Sequence, residues 1–120
     1  MNKFISIDGR KIGSSFEPFI IAEMSANHNG DINKAYKIID MAKNCGADAV
    51  KIQTYRPDTI TIDHKSEEFI CKGGLWDGKS LYELYELAHL PWDWHEPLFK
   101  YAKDIGITIF SSPFDNSAVD

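Results

Sequence analysis

From Phe19 to Tyr55 the chain reads strand, helix, strand with almost no linker, and that order leaves few folds open. The strand-like runs are Phe19-Ile-Ile-Ala-Glu-Met-Ser25 and Ala49-Val-Lys-Ile-Gln-Thr-Tyr55. Between them Ile32, Ala35, Tyr36, Ile39 and Ala42 recur at helical spacing and form one apolar stripe. Asp31 stands where it can cap that helix, and Gly46 where a helix ends. Strands alternating with helices pair in parallel through right-handed crossovers, so an α/β fold is expected.

The flanking segments extend the same pattern. Lys3–Ile7 and Lys11–Gly13 surround Asp8-Gly9, a pair suited to a tight turn, which predicts a β-hairpin within residues 1–17. Residues 18–120 then form the α/β part. Arg56 to Gly78 is irregular, broken by Pro57, Gly73, Gly74 and Gly78, and a connection of that length is usually functional. Helices are predicted from Ser80 to His89 and again along Trp94, Leu98, Tyr101, Ala102 and Ile105, with Pro97 in the first turn and Gly106 as the stop. A third strand is expected over Ile107–Ser111, with Ser111-Ser-Pro-Phe114 opening a loop. A (β/α)8 barrel needs about 250 residues. The expectation is therefore the N-terminal portion of a TIM barrel, about three strands with their helices. Such a part alone would be marginal or prone to associate, with Ile21, Ile107 and Ile109 facing an unfilled interior.

Interior parallel strands are normally continuous apolar runs, and these two are not. Alternation puts Glu23 on the face opposite Ala22 and Met24, and puts Lys51, Gln53 and Tyr55 opposite Val50 and Ile52. Charged groups are costly to bury unless paired. In adjacent parallel strands Glu23 and Lys51 would meet near the C-terminal ends, where barrel active sites lie. The same pair could also be purely structural. Asn27-His-Asn-Gly30 would emerge at that edge, either as turn chemistry or as polar groups held over a substrate. Ser111 and Ser112 could offer hydroxyls to phosphate or carboxylate oxygens.

Other classes fit poorly. A net charge of −5 argues against a nucleic-acid partner. No run approaches the length of a membrane span, and nothing at the N-terminus resembles a signal peptide. Cys45 and Cys71 form no paired motif, so a reducing cytoplasm is expected. His64, His89 and His95 lack metal-ligand spacing, and His89 and His95 are expected on helix surfaces. Neither a G-x-G-x-x-G nor a P-loop is present.

Ile20-Ile-Ala-Glu-Met-Ser-Ala-Asn-His-Asn-Gly30, Gly46-Ala-Asp-Ala-Val-Lys-Ile-Gln-Thr-Tyr55 and Phe110-Ser-Ser-Pro-Phe-Asp115, in this order and spacing, resemble the sialic acid synthase family. Gly73-Gly-Leu-Trp-Asp-Gly78, Leu81-Tyr-Glu-Leu-Tyr85 and Pro91-Trp-Asp-Trp-His95 are most similar to its pseudaminic acid branch. Trp76 stands where an N-acetylneuraminate-forming member would place a substrate-binding Asn, which favours a different sugar.

The resemblance implies a TIM barrel followed by a small antifreeze-like domain, usually in a homodimer. The implied activity is condensation of phosphoenolpyruvate with an amino sugar. It implies Glu23 as the active-site glutamate and Lys51 as the residue near the phosphoenolpyruvate anion. Gln53 and Tyr55 would line the site, Ser112 would contact phosphoenolpyruvate, and Asn27 and His28 would form the loop above. A divalent metal, Mn2+ or Mg2+, is implied as a Lewis acid on the sugar aldehyde. Its histidine ligands are expected beyond Asp120, with no metal ligand within this chain.

Overall fold

The computed structural model describes residues 3–120; Met1 and Asn2, part of the expected hairpin segment, lie outside the described residues. β1 (Ile5–Ile7) and β2 (Arg10–Ile12) pair antiparallel. Asp8 (φ 49°) and Gly9 (φ 82°) both take positive φ, the conformation a two-residue hairpin turn requires. The hairpin is fastened to the start of the main sheet. Thr108 Oγ1 donates to Asp8 at 2.6 Å, and Arg10 pairs with Asp48 and donates to the Pro18 carbonyl at 2.9 Å. Asp48 also accepts the Ile20 N–H at 2.7 Å. These bonds hold the hairpin at the N-terminal strand ends and away from the C-terminal ones.

The main sheet is parallel, ordered β3 (Ile21–Glu23), β4 (Ala49–Thr54), β5 (Thr108–Pro113). Its register sets Glu23 beside Lys51, Lys51 beside Phe110, and Gln53 beside Ser112. Helix α1 (Ile32–Asn44) crosses from β3 to β4. The Asp31 side chain accepts from Asn33 N–H at its start, and Gly46 lies just past its end at φ 84°. After β4 come the short α2 (Pro57–Ile60), then α3 (Leu81–Ala88) and α4 (His95–Ile105). Ser80 and Glu83 form a reciprocal capping box on α3, an arrangement whose loss costs about 1 kcal/mol. Pro97 falls in the first turn of α4, and Gly106 ends that helix in the left-handed conformation. Lys43 on α1 donates to the Gly106 carbonyl at 2.7 Å and ties the two helix ends together.

The core lies between one sheet face and the helices. Met24, Val50 and Ile52 from the sheet meet Ala35 and Ile39 of α1, Leu98 and Ala102 of α4, and Leu90 and Ile107. Burying each large apolar side chain contributes roughly 1.5–3 kcal/mol.

Three expectations need correction. β3 is shorter than Phe19–Ser25, because Ile20 N–H bonds the Asp48 side chain and Ser25 turns left-handed at φ 51°. β5 runs past Ser111 to Pro113, and the pairing continues as Phe114 N–H donates to the Thr54 carbonyl at 3.1 Å. Ile107 and Ile109 do not face the barrel interior. Ile109 pairs with Val50 and shares its helix-facing side, Ile107 is buried in the core, and Phe110 is the residue on the inner face. Ile21 does lie on that inner face, 42% exposed.

Candidate active site

The inner face gathers four polar residues toward the C-terminal strand ends. Adjacent parallel strands in direct register bring Lys51 Nζ to 2.7 Å from Glu23 Oε1, where the ammonium donates to the carboxylate. Their side chains are 25% and 54% exposed, so the pair opens to solvent and can reach a ligand. An exposed pair of this kind adds little to stability. Gln53 and Ser112 sit side by side one step further along the same face. The arrangement supplies one cation, one carboxylate, an amide and a hydroxyl on one sheet face, a set suited to a small anion and a polar carbonyl partner.

The other expected site residues are placed differently. Tyr55, just past β4, is 4% exposed. Its ring meets Tyr85 and Phe114 edge-on at 5.6 Å each, and burial raises its phenol pKa. Asn27 closes the turn after β3, donating to the Met24 carbonyl from its side chain at 2.9 Å and from its backbone at 3.1 Å. Ser25 and Asn29 hold left-handed conformations on either side of it, which for L-residues cost roughly 1–2 kcal/mol each. The loop bearing Asn27 is therefore firmly shaped, by turn chemistry.

His28 is 1% exposed, and its ring meets Trp94 edge-on at 5.4 Å. Gly30 N–H donates to its Nδ1 at 3.1 Å, which leaves the ring proton on Nε2. His28 thus anchors the loop to the α3–α4 region and is turned away from the inner face. Burial, and then the charge of His89, lower its pKa from 6.5. The folded state accordingly resists protonation that the unfolded chain accepts, so a stability penalty sets in as pH falls below about 6.5 and is complete beneath the folded value. Histidine proton NMR should show His28 titrating below 6.5. A resonance titrating at or above that value would contradict the buried, neutral ring.

One residue set aside in the sequence belongs near the strand ends. His95 Nε2 lies 2.6 Å from Thr54 Oγ1, on the sheet side opposite Lys51 and Gln53. Its position three residues before Leu98 and seven before Ala102, both buried, was the available signal, since that spacing lies on one helix face. His64 is exposed, and the His89 ring hydrogen-bonds the Glu86 carbonyl at 2.8 Å. Among the described residues no three His, Cys, Asp or Glu side chains converge into a group able to hold a metal ion.

Parallel strands joined by crossover helices, with an N-terminal end covered by a hairpin and an acid–amine pair at the opposite end, define part of a TIM barrel. Comparison with known proteins gives the family. Residues 38–120 match the NeuB family, and the chain belongs to it. It is 55% identical over 102 residues to a pseudaminic acid synthase of Campylobacter jejuni, covering 85% of this chain and 30% of that protein. It is 48% identical over 103 residues to a pseudaminic acid synthase of Helicobacter pylori, covering 86% and 30%. The crystal structure of an N-acetylneuraminic acid synthetase from Leptospira borgpetersenii, in complex with citrate, superposes with a TM-score of 0.77 at 28% identity, covering 99% of this chain and 37% of that one. The chain spans about 30% of the length of the curated relatives it matches.

Proposed function

We propose that this chain supplies the first strands of the catalytic barrel of a pseudaminic acid synthase. The reaction would condense phosphoenolpyruvate with 2,4-diacetamido-2,4,6-trideoxy-altropyranose to a nine-carbon nonulosonic acid, releasing phosphate. The observation that carries this reading is the Lys51–Glu23 pair at the C-terminal strand ends of a NeuB-family barrel. The branch is supported by identity of 48–55% to pseudaminic acid synthases against 36–37% to N,N'-diacetyllegionaminic acid synthases.

In this reading Lys51 offsets the charge of the phosphoenolpyruvate anion, while Gln53 and Ser112 hydrogen-bond its oxygens. Carbon 3 of phosphoenolpyruvate attacks the open-chain sugar aldehyde, and carbon 2 takes on oxocarbenium character. Water adds there, and the tetrahedral intermediate expels phosphate by C–O cleavage. Glu23, 2.7 Å from Lys51, orients the aldehyde or its hydrate and can relay a proton at that carbon. A divalent cation would take its ligands from elsewhere in the protein, and the roles given to Lys51 and Glu23 do not depend on it. The described residues contain no helix long and apolar enough to cross a membrane. Free Cys45 and Cys71 suit a reducing cytoplasm.

The test is product identification with the protein at the full length of its relatives. The altro-configured sugar and phosphoenolpyruvate should yield pseudaminic acid and stoichiometric phosphate. Preferential use of N-acetylmannosamine or of the legionaminic acid precursor would assign the protein to a sister branch.

A further inference from the structure

We propose that His95 is a positioning residue for the anion-holding ends of β4 and β5, acting through Thr54 and Ser111. The proposal rests on the reading of Lys51, Gln53 and Ser112 as the phosphoenolpyruvate site. Thr54 lies between Gln53 and Tyr55, and Ser111 precedes Ser112, so both hydroxyls sit directly behind the site on the helix-facing side. Thr54 is 2% exposed, and a hydroxyl so withdrawn from water must find its partners in the protein.

The partners form a chain whose direction is fixed. His95 Nδ1 lies 3.0 Å from the Trp92 carbonyl, which can only accept, so Nδ1 carries the proton. In the neutral ring Nε2 is then an acceptor, and Thr54 Oγ1 donates to it at 2.6 Å. Having given its proton to His95, Thr54 accepts from Ser111 Oγ at 2.5 Å. One continuous run, Ser111 to Thr54 to His95 to the Trp92 carbonyl, therefore joins β5, β4 and the start of α4. A second link closes the circuit. Arg56 stacks over the Trp92 ring at 5.0 Å and donates to Asp115 at 3.1 Å and Ser117 at 2.9 Å, in the loop that follows β5. The two strand ends and the loops leaving them are thus set relative to one another by a network centred on the turn before α4. A misplacement of Ser112 relative to Gln53 should be felt in anion binding before it is felt in chemistry.

The test uses the protein at the full length of its relatives. Nitrogen NMR of labelled histidine should show His95 as the Nδ1–H tautomer. Thr54→Val, which removes the hydroxyl and keeps the shape, should raise KM for phosphoenolpyruvate about tenfold with kcat changed by less than about twofold, as loss of one buried hydrogen bond in ligand positioning predicts. Thr54→Ser should restore KM. If Thr54→Val fails to fold, His95→Phe and His95→Gln give the same comparison, with Gln retaining an acceptor. An Nε2–H tautomer, an unchanged KM in Thr54→Val, or loss of kcat alone would overturn the proposal. A wild-type protein that neither binds nor consumes phosphoenolpyruvate would instead overturn the site reading. In that case the tautomer would still report whether the hydrogen-bond chain exists.

Discussion

Lys51→Ala, made in the protein at the full length of its relatives, should weaken phosphoenolpyruvate binding on the order of 100-fold, roughly 3 kcal/mol. Two effects add. The substitution removes the cation that faces the ligand's negative oxygens, and it strips Glu23 of the partner that holds its carboxylate at 2.7 Å. The unpaired carboxylate then repels the incoming anion. Lys51→Arg should recover part of the loss, because it keeps the charge but replaces a compact ammonium with a wider planar fork. Isothermal titration with phosphoenolpyruvate measures all three proteins. An affinity for Lys51→Ala within about twofold of wild type, far short of the cost of removing a charged partner, would take Lys51 out of the site.

Glu23→Gln should have the opposite signature. It preserves shape and one acceptor oxygen but cannot carry a proton, so kcat should fall about 10²–10⁴-fold, the usual scale for loss of acid–base assistance. Phosphoenolpyruvate affinity should hold or improve, since Lys51 is left with its charge free for the ligand. Steady-state kinetics paired with equilibrium titration separates the two. A Glu23→Gln protein that keeps its kcat and loses affinity would reverse the assigned roles, giving Glu23 a structural place and no part in the chemistry.

The pair at the centre of these predictions was legible because it depends only on strand alternation and on parallel register. Once β3 and β4 are neighbours, Glu23 and Lys51 share a face and a height. The caps were legible for a similar reason: Asp31, Gly46 and Gly106 act on the residues next to them. What was not legible depended on remote partners or on parity. Alternation assigns Tyr55 to the face of Lys51 but does not tell how deeply its ring is buried. Tyr85 and Phe114, distant in sequence, draw that ring inward. His28 was read from its loop, whereas its place is set by Trp94 across the fold. Ile109 and Phe110 could exchange faces by a one-residue slip, and only the pairing of Val50 with Ile109 decides between them. His95 has no metal-ligand spacing, and the sign of its inward position is its helical spacing to Leu98.

Determining the structure of the full-length relative-sized protein with phosphoenolpyruvate bound would address the site most directly. A phosphate or carboxylate oxygen should lie within hydrogen-bond reach, about 3 Å, of Lys51 Nζ, with Gln53 and Ser112 on the same ligand and Glu23 beside the open position for the sugar carbonyl. A ligand held elsewhere, with Lys51 and Glu23 still bonded only to each other, would contradict a catalytic role for the pair.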